Sequence, residues 1–127
     1  DIDAVYLFES PAKLVKPIAY AAGCKWLDKG SACTSGFPQA STVNGKKDAS
    51  ALTGFVSLNG GSIICEWDDG IPLELGMVVQ VIEVTSEGSN SEPFRLRACA
   101  DADATECGTY EKAKKADQTF PSGNLLF

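Results

Sequence analysis

The stretch from residue 52 to residue 84, LTGFVSLNGGSIICEWDDGIPLELGMVVQVIEV, constrains the fold more than any other part of the chain. Two runs rich in β-branched and aromatic residues, 52–58 and Ser62–Trp67, flank Asn59-Gly60-Gly61, residues that tolerate the positive φ of a tight hairpin. A second turn at Asp68-Asp69-Gly70 and a third apolar run at 77–84 extend the pattern. The expectation is a three-stranded antiparallel meander. In Ser62–Trp67 the alternation sets Ile63, Cys65 and Trp67 on one face and Ile64 and Glu66 on the other. The run 77–84 is apolar on both faces, as a central strand requires.

The other elements are read around this stretch. Val5-Tyr6-Leu7-Phe8 has the character of a short buried strand that Pro11 stops. Residues 17–28 (PIAYAAGCKWLD) admit two readings. In one, Pro17 opens a helix that Gly30 caps, with Ile18, Ala21, Ala22 and Trp26 on one face. In the other, Leu14-Val15 and then Ile18–Ala21 are β, with a break at Pro17. Residues 29–51 read as a loop with a turn or short strand around Val43-Asn44-Gly45, and 85–93 as a second polar loop. Residues 94–100 (FRLRACA) return as a strand with Phe94, Leu96 and Ala98 inward and Arg95, Arg97 and Cys99 outward. A short helix from Tyr110 to about Ala116, N-capped by Thr109, and a last apolar piece at 124–127 complete the chain. The expected fold is a single domain over residues 1–127, mainly β, a small antiparallel barrel or sandwich with one or two short helices. At 127 residues such a domain buries roughly two-thirds of its unfolded surface.

Charge and composition narrow the partners. The net charge of −6 argues against nucleic acid, whose binding needs clustered Lys and Arg to displace counterions. Lys46-Lys47, and Lys112 with Lys114-Lys115, are short basic knots read as solvated surface. No apolar run approaches the ~20 residues that span a bilayer, so no membrane span is expected. A chain starting at Asp1 without an apolar leader reads as a mature form after leader removal, and Asp1 and Asp3 as a charged terminus. None of Asn44, Asn59, Asn90 and Asn124 has Ser or Thr two residues on, so N-glycosylation is not expected.

Five cysteines point to an oxidising compartment. Any one of them can be the odd one, and the other four pair in three ways. The expected arrangement is two local loops, Cys24 with Cys33 and Cys99 with Cys107, leaving Cys65 as a free buried thiol between Ile63 and Trp67, where it acts as a small hydrophobe. The spacings contain no C-x2-C or C-x4-C unit, so zinc is not expected.

Histidine is absent, which excludes Ser-His-Asp and Cys-His nucleophile pairs, His-ligated metals and imidazole acid–base catalysis. Carboxylate chemistry survives: Glu66, Asp68, Asp69 and Glu74 surround the second turn, and a glycoside hydrolase needs two such groups at the right separation. Asp at a turn more often hydrogen-bonds its own backbone. Asp101, Asp103 and Thr105 alternate like the start of a calcium loop, but Glu106 stands where the tight-turn glycine belongs and Lys112 where the bidentate Glu belongs. Asp101, Asp103 and Glu106 are the candidate calcium ligands; a solvated acidic loop is the competing account. No glycine-rich phosphate motif is present, so no cofactor is expected.

A small acidic chain with no leader, no histidine, a β-meander and local Cys loops resembles the small secreted effectors and elicitors of filamentous fungi. It is most similar in plan to the hypersensitive-response-inducing proteins and, more distantly, to the Alt a 1-type allergens. The resemblance rests on size, composition and Cys layout. It implies secretion into the extracellular space, recognition by a host protein or cell-surface component, and no catalysis, with a role in virulence or plant defence. The segments 29–51 and 85–93, loops held by a rigid sheet, are the expected recognition surfaces. The alternatives are a small carboxylate-dependent hydrolase and a calcium- or ligand-binding module.

Overall fold

The computed structural model describes residues 1–30, 39–46, 54–58, 60–84, 95–112, 115–119 and 122–126; for Val84, 115–119 and 122–126 it describes the backbone path. Six strands, β1 (Ile2–Phe8), β2 (Ala19–Asp28), β3 (Ser62–Trp67), β4 (Val78–Val84), β5 (Lys115–Thr119) and β6 (Ser122–Leu126), lie in the order β3-β2-β1-β4-β6-β5. Every pairing is antiparallel. The sheet is open, with β3 and β5 as its two ends among the described residues, so the expected barrel closure is not found there. In place of α-helices the described chain has two 3-10 turns, Ala40–Val43 and Asp68–Gly70.

Strand β4 is central, as its two apolar faces require, between β1 and β6. Val79 and Val81 face a cluster that includes Ile2, Leu7, Ala19, Ala21, Val43 and Val56; Val78 and Ile82 are buried as well. The 3-10 turn Ala40–Val43 and Val56 help cover this cluster, and Val56 exchanges two backbone hydrogen bonds with Ile2.

The meander expected over 52–84 is not formed. Its first turn exists: the Gly61 N–H donates to the Leu58 carbonyl at 2.7 Å. A Cβ on Gly61, however, would lie 2.6 Å from both the Asp28 carbonyl oxygen and the Gly30 nitrogen, a closeness only glycine permits. That approach delivers β3 to β2, while Val56 pairs with Ile2 and β4 crosses to β1. Each apolar run finds a partner remote in sequence. The predicted face of β3 holds: Ile63, Cys65 and Trp67 pack against the core and Glu66 is exposed.

The helical reading of 17–28 gives way to β2, which hydrogen-bonds to strands on both sides. Between the pairs Ala22↔Glu66 and Lys25↔Ile64, two residues of β2 oppose one of β3. The extra residue is Gly23, at φ 54°, a β-bulge of the kind in which a glycine adopts the left-handed conformation. The bulge leaves the Cys24 N–H outside the ladder, and the Asn44 side-chain oxygen accepts it at 3.0 Å. Gly45 donates to the Ala21 carbonyl at 2.8 Å, which fixes the Val43-Asn44-Gly45 turn against β2.

The expected helix from Tyr110 is also absent. Glu111 forms a reciprocal backbone pair with Leu96, and Lys115 begins β5. Residues 95–112 are thus a hairpin, pinned by the Leu96–Glu111 and Cys99–Cys107 bridges. Phe94 lies outside the described residues; Leu96 packs inward as expected, whereas Ala98 is exposed.

Candidate functional site

The cysteine pairing sets the scaffold and corrects the sequence expectation. Cys24 is bonded to Cys65, not to Cys33, and Cys65 is not a free thiol; Cys33 lies outside the described residues. Cys99 is bonded to Cys107. The bulge at Gly23 turns Cys24 toward the core, where it meets the inward-facing Cys65 of β3. Closing a 41-residue separation removes roughly 4 kcal/mol of unfolded-chain entropy, and the 8-residue Cys99–Cys107 loop about 2.5 kcal/mol.

The hairpin 95–112 carries the most distinctive surface chemistry. Arg95 and Arg97 alternate with the inward Leu96 and so share its outer face. Both guanidiniums reach Tyr110 on the facing strand, Arg97 at 4.6 Å from the ring centre and Arg95 at 5.5 Å. Tyr110 itself is 51% exposed. Lys112, two residues on from Tyr110, falls on the same face by alternation and opposite Arg95 in the register set by Leu96 and Glu111. These are the chain's only two arginines. Among the described residues, none of Arg95, Arg97 and Lys112 makes an ion pair. A cation–π contact at an exposed site is worth about 0.5–1 kcal/mol and favours side-chain conformers that keep the guanidiniums beside the ring.

The hairpin is braced at its tip as well. The Asp101 carboxylate accepts the N–H groups of Asp103 and Thr105 at 3.0 Å and of Glu106 at 2.8 Å. The Thr105 N–H first and the Glu106 N–H next hold its carboxyl at about 2, below the usual carboxylate range. Asp103 turns outward to Lys25 at 3.1 Å, tying the tip to β2, and Glu106 is exposed. No group of three or more candidate metal ligands occurs among the described residues.

The carboxylates considered for hydrolysis lie in different local settings. Asp68 accepts the Tyr20 N–H at 2.6 Å, joining the end of β3 to the start of β2. Asp69 sits exposed at φ 62°, Glu66 projects from β3 beside Gly23, and Glu74 lies in the exposed turn before β4, where its carbonyl accepts the Met77 N–H. Among the described residues no hydrogen bond links any two of these four.

Two buried acids were not anticipated. Asp3 is 3% exposed and Glu83 2%, on the adjacent strands β1 and β4, so Asp3 is more than a charged terminus. The Glu83 carboxylate lies 3.6 Å from the Asp1 ammonium, and the Ser57 hydroxyl donates to the Asp1 carboxylate. The signal in the sequence was Glu83 itself, an acid inside the apolar run 77–84. Of the loops expected to carry recognition, 85–93 lies wholly outside the described residues and 29–51 largely so. The Arg95–Arg97–Tyr110 face was legible only as outward-pointing arginines; the register that brings Tyr110 to them was not.

No protein-family model, curated protein or solved structure matches the chain.

Proposed function

We propose that the protein is a secreted, non-enzymatic recognition protein, an effector or elicitor that binds a host component at a fungus–plant interface. The observation that carries this reading is the pair Arg95 and Arg97 flanking the exposed Tyr110 on a hairpin tied by Cys99–Cys107. Rigid presentation of charged and aromatic side chains on a braced loop lowers the ordering cost of binding. Two disulfides in so small a chain fit an extracellular setting. The resemblance in size, composition and Cys layout to small secreted elicitors points the same way. Infiltration of the purified protein into leaf tissue tests the proposal. Native protein is expected to provoke cell death, and reduced, alkylated protein to provoke none. An equal response to both, or turnover of a polysaccharide by the pure protein that is lost on amidating one of Glu66, Asp68, Asp69 or Glu74, would overturn it.

A further inference from the structure

We infer that the outer face of hairpin 95–112 is a binding site for a short acidic oligosaccharide whose charges are uronate carboxylates. The inference rests on the recognition reading above and names the ligand class of that surface.

The argument begins with charge. In a chain of net charge −6, the two arginines and Lys112 lie together on one ribbon face and make no ion pair among the described residues. A guanidinium offers a planar fork of donors that matches a carboxylate with two parallel hydrogen bonds. Both guanidiniums lie within cation–π distance of Tyr110, a residue 51% exposed, so the contact narrows their freedom before a ligand arrives. The two guanidiniums converge on one exposed aromatic, with Lys112 opposite Arg95, so the face gathers three cations around a ring and suits a ligand that carries several carboxylates on one scaffold rather than one isolated anion. The Tyr110 hydroxyl can donate to and accept from sugar hydroxyls.

Charge also bounds the ligand. Three cations balance a few singly charged carboxylates. A nucleic acid or densely sulfated chain would run past them onto an acidic remainder that repels it. An acidic peptide carries its carboxylates on flexible stems and loses their rotamer freedom on binding, whereas a uronate carboxylate is fixed to its ring.

Calorimetric titration with a purified oligogalacturonate is the test, run beside a neutral oligosaccharide of equal length, a heparin-derived oligosaccharide and an oligoglutamate peptide. Oligogalacturonate is expected to bind most tightly, and more weakly as salt rises. The double variant Arg95→Gln/Arg97→Gln is expected to bind it about tenfold or more weakly, from loss of charge-assisted hydrogen bonds. A Lys29→Gln/Lys46→Gln control, which removes the same charge elsewhere, should bind like wild type. Near-ultraviolet circular dichroism establishes that each variant is folded; should the arginine variant misfold, Tyr110→Phe and Arg95→Lys/Arg97→Lys replace it, the first expected to retain most affinity and the second to lose most. Equal affinity for the neutral sugar, tighter binding of oligoglutamate or the heparin fragment, or unchanged affinity in the arginine variant would overturn the inference. Leaf response with no uronate binding overturns this ligand alone. Uronate binding with no leaf response supports the ligand and counts against the elicitor reading.

Discussion

Cys24 of β2 is bonded to Cys65 of β3 across a bulge in which Gly23 and Cys24 together oppose Cys65. The bond joins strands 41 residues apart in sequence, and the bulge aligns its two halves. Non-reduced peptide mapping should therefore find Cys24 linked to Cys65 and Cys99 linked to Cys107, with a peptide linking Cys24 to Cys33 as the contrary result. Replacing Cys24 and Cys65 by Ala together should lower unfolding free energy by roughly 2–5 kcal/mol in urea titrations under oxidising conditions.

Gly23→Ala isolates the bulge. At φ 54° an L side chain is disfavoured by about 1–2 kcal/mol, while the added Cβ would meet the Glu66 carboxylate only at an ordinary 3.7 Å. The expected loss is thus conformational, about 1–2 kcal/mol in the same titration. A neutral result would show that the bulge does not need glycine.

That bulge also explains why β2 was ambiguous in the sequence. The residues of β2 that face the core are Ala19, Ala21, Cys24 and Trp26, spaced by two, three and two. A phase slip of one residue in a strand mimics the spacing of a helix face, so periodicity alone could not separate the readings. Strands β1 and β3 were legible because Val5–Phe8 and Ile63–Trp67 are unbroken, and β4 because 77–84 is apolar on both faces. Their partners were not legible: adjacency in sequence argued for hairpins, whereas Val56 pairs with Ile2 and β3 with β2. At the site, outward Arg95 and Arg97 were readable from alternation. Thr109 as an N-cap predicts a helix that starts at Tyr110, and the tertiary pairing of Glu111 with Leu96 overrides that local preference.

Burial separates two leucines of equal chemistry. Leu7 is fully buried between β2 and β4, and Leu75 is fully exposed in the turn before β4. Leu7→Ala should cost roughly 2–5 kcal/mol through lost burial and a residual cavity, and Leu75→Ala should stay within about 0.5 kcal/mol. Equal effects at the two sites would contradict the placement of the core.

Asp68 offers a test of the junction between the end of β3 and the start of β2. Its carboxylate accepts the Tyr20 N–H, half-buried where β2 begins. Asp68→Ala leaves that donor without its acceptor at a cost of about 1–3 kcal/mol. Asp68→Asn keeps an oxygen there and should recover most of the loss. Thermal melts of the two variants separate a structural carboxylate, which Asn rescues, from one whose charge is what matters, which Asn does not.

Asp101 gives the 95–112 hairpin a response to acid. Three backbone N–H groups, with Thr105 the largest contributor, favour its ionised form and lower its pKa from 3.8 to about 2. A carboxylate depressed in the folded state contributes stability that is present above its unfolded pKa and is lost as pH falls through its folded pKa. The window for this group therefore runs from near pH 4 down to about 2, and nothing from it changes at neutral pH. In a nuclear magnetic resonance titration the amide shifts of Thr105 and Glu106 should move together with a midpoint near 2. Asp101→Asn should abolish that midpoint, and with one oxygen for three donors it should speed hydrogen exchange at both amides. A midpoint close to 3.8 in the unmodified protein would mean that these N–H groups do not hold the carboxylate, and the tip that supports Arg95, Arg97 and Tyr110 would lose its brace.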